Sequence, residues 1–279
     1  MSTITISAAD VNKLRLRTGA GMMDCKKALT ETEGDFESAI DYLRKKGAKV
    51  SASRSDREAN EGVVIAKVNS NGTKGLIIAL SCETDFVAKN SDFIALTSSI
   101  IDLAMNKFPS SLEALLALSL NGETISNIIL DQTGKIGERI SISRFEEIEA
   151  PKVVSYIHAN NKLAVLVGLN QNGYGVEEAG RDVCMQIAAM NPLAIDKSDI
   201  DSSVIERETE IAREQIRAEG KPEEMVNKIA QGKLNKFYKD NTLLNQEFVK
   251  DSSKSIAQML ESVHKGLTVS AYKRVVLGA

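Results

Sequence analysis

The stretch EGVVIAKVNSNGTKGLIIALSC, residues 61–82, decides the fold. Two apolar, β-branched runs, 63–68 and 75–82, flank Asn71-Gly72, and paired runs around Asn-Gly read as a β-hairpin. Helical patterns follow: 91–108 with Phe93, Ile94, Ile101 and Leu103, then 111–120, then 123–133. Residues 138–148 alternate through Ile140 and Ile142, as a half-buried strand does. The same order then returns. Runs 152–158 and 163–170 flank Asn160-Asn161, a helix spans 176–190 up to Pro192, and a helix over 252–264 leads into a strand over 267–276. Hairpin, helices and strand, twice over, predict an α+β protein with a core of two related subdomains, 61–148 and 149–202 continued in 241–279.

Ahead of this core lie three short helical periodicities, a docking module over 1–50. Ser7 and Asp10 resemble a capping box before Val11 and Leu14, and Thr18-Gly19 ends that helix. Met22, Met23, Ala28 and Leu29 mark a second helix that stops at Gly34. Asp35 caps a third, with Phe36, Ala39, Ile40 and Leu43 on one face and Gly47 as its end. Residues 51–60 are polar and without period, and the linker reading starts from Lys49. Inserted in the second half, 203–240 carries a narrow stripe (Val204, Ile205, Ile211, Ala212, Ile216) on a charged helix. Gly220-Lys221-Pro222 turns the chain, with Pro222 suited to the first helical position. Met225, Val226, Ile229, Leu234 and Phe237 line the return leg, so the insert reads as an antiparallel helical hairpin, a short coiled coil.

Composition excludes several classes. The 279 residues carry a formal charge of −3 and no Trp, which offers neither a field nor stacking platforms for nucleic acid. Cys25, Cys82 and Cys184 are odd in number and form no CxxC, against a disulfide framework or a zinc site; each reads as a small buried hydrophobe. Nothing approaches the ~18 apolar residues of a membrane span. Residues 1–10 lack the basic and apolar regions of a signal peptide, and the expected location is the cytoplasm. Gly19-Ala20-Gly21-Met22-Met23-Asp24 follows no strand and has Asp where a dinucleotide loop needs its third glycine. Gly134-Lys135-Ile136-Gly137 lacks Walker spacing. No cofactor, metal or catalytic residue is predicted, and a Cys–His nucleophile pair through Cys25 has no supporting spacing.

Thr84-Asp85-Phe86-Val87 follows the second hairpin strand and precedes polar Ala88-Lys89-Asn90, which places Phe86 at a strand-to-helix turn. Two readings stay open from pattern alone. Most Phe side chains plug a core, but one aromatic displayed on a rigid turn can dominate an interface. His158, at a strand end beside a hairpin turn, is equally open between interface and plain surface.

Two long motifs then become recognisable. TGAGMMDCKKAL, residues 18–29, and Cys82-Glu83-Thr84-Asp85-Phe86-Val87-Ala88 resemble the two signatures of the elongation factor Ts family. Lys135-Ile136-Gly137-Glu138, Ser155-Tyr156-Ile157-His158 and Gly220-Lys221-Pro222 fall in the family's order. The resemblance implies a non-catalytic guanine nucleotide exchange factor that acts on elongation factor Tu during translation. It makes the first module ubiquitin-associated-like, docking on the partner's GTP-binding domain through Arg15, Thr18, Gly19, Met22, Met23 and Asp24. It gives Thr84, Asp85, Phe86 and Val87 the task of dislodging the partner's Mg2+. It brings His158 to the partner's third domain and Phe248 and Val249 to a similar contact. The helical hairpin matches the family's coiled-coil module, with self-association and partner binding both open. Longer members continue beyond the final strand, whereas this chain stops at Leu277-Gly278-Ala279; weaker partner affinity is the expectation. A plain interaction scaffold is the competing class.

Overall fold

The computed structural model describes residues 5–54 and 56–278. Residues 1–4, where the N-terminal module and the leader reading begin, Ser55 of the linker and Ala279 lie outside the described residues. The chain divides into two compact units: Met1–Ile65, Ile77–Phe145 and Val276–Ala279 in the first, Ala66–Leu76 and Glu146–Val275 in the second. Both mix helix and strand, and the fold class is α+β.

In the first unit, helices α1 (Ala8–Thr18), α2 (Met22–Glu31) and α3 (Phe36–Ser53) close on Val11, Leu14, Cys25, Ala28, Leu29 and Ala39. Ser7 and Asp35 cap α1 and α3 where the sequence announces, but in place of the expected capping box the Asp10 carboxylate accepts the Ser7 hydroxyl. Ser7 Oγ accepts the Asp10 N–H at 3.1 Å and donates to its carboxylate at 2.6 Å, and Asp35 Oδ1 accepts the Ser38 N–H at 2.8 Å. Gly19, at φ 69°, ends α1 by donating its N–H to the Arg15 carbonyl.

Gly47 does not end α3. The helix passes through it to Ser53, six residues further, so the stretch expected as linker from Lys49 begins as helix. The reason lies in α7 (Ile125–Ile136), which crosses α3 at Gly134. A Cβ on Gly47 would sit 2.6 Å from the Leu130 carbonyl oxygen, and one on Gly134 would sit 3.0 Å from the Gly47 Cα. Glycine serves close approach of two backbones here, not helix termination.

Strands β1 (Glu61–Val68), β2 (Lys74–Cys82) and β5 (Ser141–Glu149) form a three-stranded sheet in the order β1-β2-β5. Asn71-Gly72 makes the predicted turn, with Gly72 at φ 69° and its N–H on the Asn69 carbonyl. Helices α4 (Asp85–Ala88), α5 (Ser91–Lys107) and α6 (Leu112–Leu116) follow β2. The helix expected over 111–120 stops at Leu116. Beyond it, β3 (Ser119–Leu120) pairs antiparallel with β4 (Glu123–Thr124) across Asn121-Gly122, both at positive φ. That dipeptide is itself a hairpin signal, and it delays α7 until Thr124 can cap it.

In the second unit β6 (Lys152–His158) pairs with β7 (Leu163–Leu169), His158 opposite Leu163, around Asn160 and Asn161 at positive φ. The sheet order is β10-β7-β6, with β10 at Val269–Val276, and α8 (Val176–Met190) packs on β6 and β7. The arm consists of α9 (Ser202–Ala218) and α10 (Glu223–Asn241), antiparallel through Ala212, Ile216, Val226 and Ala230. Pro222 stands at the N-cap of α10, one position before its expected place. The helix expected from Ser252 starts only at Ile256 as α11 (Ile256–Val263). Residues before it pair as β8 (Glu247–Phe248) with β9 (Asp251–Ser255), because Ser255 and Gln258 form a capping box that fixes the helix start. Among the described residues no helix is long and apolar enough to cross a membrane.

Candidate partner-docking site

Phe86 sits on α4, a single helical turn directly after β2, and is 83% exposed. It does not plug its own core; Phe93, seven residues on in α5, is buried instead. Two carboxylates cross beneath this turn. Glu138 accepts the Glu83 and Thr84 N–H groups, both at 3.0 Å, and the Thr84 hydroxyl at 2.7 Å. Glu83 in turn accepts the Arg139 N–H at 2.7 Å and Arg54 Nη1 at 2.7 and 2.8 Å, with Arg57 at 3.6 Å. Burial alone pushes the Glu83 carboxyl up, but the Arg139 N–H and the two guanidinium groups outweigh it, and its pKa ends below the usual value. The Cys82 thiol, buried behind the turn and facing the Glu138 charge, is pushed up to about 12. Asp85 pairs with Lys89 at 2.6 Å on the outer face. Beside Phe86 lies an open cavity of ≈ 390 Å³ with Val87, Phe93, Lys135 and Ile136 in its wall.

The elbow between α1 and α2 carries the other motif of the first unit. The Thr18 hydroxyl donates to the Leu14 carbonyl at 2.8 Å and accepts the Ala20 N–H at 3.3 Å, so Thr18 holds the elbow from within. Asp24 bonds Lys46 at 2.6 Å, and Arg15 is exposed on α1. Met22 and Met23 stand in solvent, as does Leu16 at 78% exposure, a residue the sequence reading passed over. Its signal was a Leu on the polar side of α1, between Arg15 and Arg17. Gly19 lies against the Lys135 side chain: a Cβ there would come within 2.8 Å of Nζ. Since Lys135 also walls the cavity beside Phe86, the last turn of α7 brings the elbow and the Phe86 turn, over sixty residues apart in sequence, to one place.

The remaining expected contacts belong to the second unit. His158 is exposed at the end of β6, with Nδ1 2.9 Å from the Tyr156 hydroxyl. Phe248 and Val249 behave oppositely: Phe248 is buried, whereas Val249 is 52% exposed. Their loop hangs on Gln186, a fully buried amide on α8 that sequence reasoning missed. Gln186 Nε2 donates to Gln246 Oε1 and the Glu247 carbonyl, both at 3.1 Å, and Oε1 accepts the Val249 N–H at 2.9 Å. A polar residue inside the apolar stripe Val183, Cys184, Ile187 was the available signal.

Leu16, Met22, Met23 and Phe86 are apolar side chains held in water at or beside hydrogen-bonded turns, the class of surface that proteins present to other macromolecules. A family model described as elongation factor TS matches residues 83–279. Elongation factor Ts of Cytophaga hutchinsonii is 58% identical over 279 residues, 99% of this chain and 100% of the relative. Those of Christiangramia forsetii and Flavobacterium psychrophilum are 54% and 52% identical, each covering 98% of this chain and 99% of the relative. The chain belongs to the elongation factor Ts family.

Proposed function

We propose that this chain is a guanine nucleotide exchange factor for elongation factor Tu, and that it drives GDP out by inserting Phe86 beside the partner's Mg2+ and phosphate site. The observation that carries the reading is Phe86 itself, 83% exposed on a hydrogen-bonded turn in a member of this family. The elbow at Arg15, Thr18, Gly19, Met22, Met23 and Asp24 docks on the GTP-binding domain, while His158 and Val249 grip the partner elsewhere, with Phe248 anchoring the loop from inside. The factor acts in the cytoplasm, needs no cofactor and performs no covalent chemistry.

Linkage supplies the mechanism. A factor that binds nucleotide-free partner more tightly than nucleotide-bound partner weakens nucleotide binding by the same ratio. Mg2+ neutralises phosphate charge, so its displacement removes much of the affinity for GDP. Burying a Phe side chain yields about 1.5–3 kcal/mol, and if that burial is realised only as nucleotide leaves, it accelerates release roughly ten- to a hundred-fold.

Stopped-flow release of a fluorescent GDP analogue from elongation factor Tu tests this. Wild type should accelerate release, and Phe86→Ala should lose most of the acceleration with little change in docking or in thermal stability, since the side chain is already in water. Binding without acceleration by wild type leaves a scaffold; equal loss of docking and rate in Phe86→Ala removes the wedge.

A further inference from the structure

We infer that Glu138 is a positioning residue for Phe86: its carboxylate holds the Thr84–Val87 turn in the one orientation that can deliver the ring. This rests on the exchange reading and specifies how the wedge is kept stiff.

A four-residue helix has no stability of its own, since nucleation alone is unfavourable at that length. Thr84, at the N-cap position, makes no side-chain cap to α4. Its hydroxyl is turned to Glu138 Oε1 instead, and the Glu83 and Thr84 N–H groups converge on Oε2. Three charge-assisted bonds therefore reach the turn from one carboxylate. That carboxylate is placed by Gly137, whose φ of 80° ends α7 and sends residue 138 back toward β2. Glu83 returns the grip on the Arg139 N–H, so residues 83–84 and 138–139 are tied twice, in opposite directions. A ring that must enter a partner gains nothing from such bonds unless its direction matters. A turn ordered beforehand loses no conformational entropy at the moment of insertion.

Residue size and charge separate positioning from a role through charge alone. Glu138→Gln keeps the reach: its amide oxygen accepts both N–H groups, and its NH2 donates to the Thr84 hydroxyl. Glu138→Asp keeps the charge but withdraws it by about 1.5 Å, one carbon–carbon bond. Positioning requires Gln to behave nearly as wild type and Asp to behave as Ala; a role through charge alone requires the reverse.

Two measurements decide it, after circular dichroism has confirmed each fold. In GDP release, Glu138→Ala and Glu138→Asp should lower the maximal rate about fivefold or more, with the half-saturating concentration within about twofold. In a Phe86→Ala background they should do nothing further, because there is no ring left to aim. Undiminished effects in that background, or a change in affinity alone, would overturn the inference. The second measurement needs no partner. The chain contains no Trp, so Phe86→Trp is a sole reporter. Time-resolved fluorescence anisotropy of the free protein should show a larger fast local motion with Asp or Ala at position 138 than with Glu or Gln. Equal motion in all four defeats positioning whatever the exchange assay gives. Loosening without any wild-type acceleration of GDP release would uphold the positioning of the turn and discard the exchange reading.

Discussion

The crossing of α3 and α7 makes a sharp test of the first unit, through Gly47→Ala. Ordinary van der Waals contact for a Cβ begins at 3.4 Å, and a Cβ on Gly47 would lie 2.6 Å from the Leu130 carbonyl oxygen, a deficit of 3.4 − 2.6 = 0.8 Å. The obstacle is backbone on a neighbouring helix, which cannot swing away as a side-chain tip can. Forced separation of packed elements costs about 1–3 kcal/mol. Against this, Gly→Ala inside a helix gains about 1 kcal/mol of propensity. The net expectation is a loss of about 1 kcal/mol. Gly232, inside α10 with nothing within 4 Å of its Cβ position, supplies the control: there Ala keeps the full gain of about 1 kcal/mol. Urea unfolding followed by far-ultraviolet circular dichroism should therefore move the two variants in opposite directions. If Gly47→Ala stabilises as much as Gly232→Ala does, the close approach of α3 and α7 is wrong.

Other consequences follow from buried groups. Burial raises the pKa of all three thiols, that of Cys82 to about 12, with the Glu138 charge adding to it. A group raised in the folded state stabilises below its unfolded pKa. That stability is lost as the pH climbs from about 9 toward 12, so alkaline titration should lower the unfolding temperature over that window. A thiol reagent in mildly alkaline buffer should label none of the three until denaturant is added. Gln186→Leu strands the Val249 N–H and two acceptors, Gln246 Oε1 and the Glu247 carbonyl, at about 1–3 kcal/mol for each buried group left unpaired. It should lower the unfolding temperature and raise the half-saturating concentration in exchange while the maximal rate holds; a fall in the maximal rate alone would contradict a docking role for the Val249 loop.

Local chemistry was the legible part of the sequence. Ser7, Gly19, Asp35 and Asn71-Gly72 act through atoms within a few residues, and each appears where the residue types require. Gly47 was misread because a helix end and a helix crossing ask for the same residue, and only Gly134, far along the chain, tells them apart. Asn121-Gly122 carried the same signal as Asn71-Gly72, but strands of two residues leave no period to notice, so the helical pattern won. The site divides in the same way. The motifs at 18–29 and 82–88 were visible as strings. The exposure of Phe86 was not, because it depends on Phe93 having filled the core. Glu138 was visible only as part of a motif and Gln186 not at all, and the roles of both were hidden because their partners lie 54 to 63 residues away.

The arm of α9 and α10 closes over a cluster of four buried side chains, two of them alanine. So small an apolar cluster gives it a smaller opening free energy than the sheets, with their continuous Leu, Ile and Val layers. Its cohesion leans on surface ion pairs such as Arg217–Glu223 at 2.9 Å and Lys233–Glu219 at 3.5 Å, which salt weakens. The order of the arm therefore answers to ionic strength more than that of the apolar sheets does.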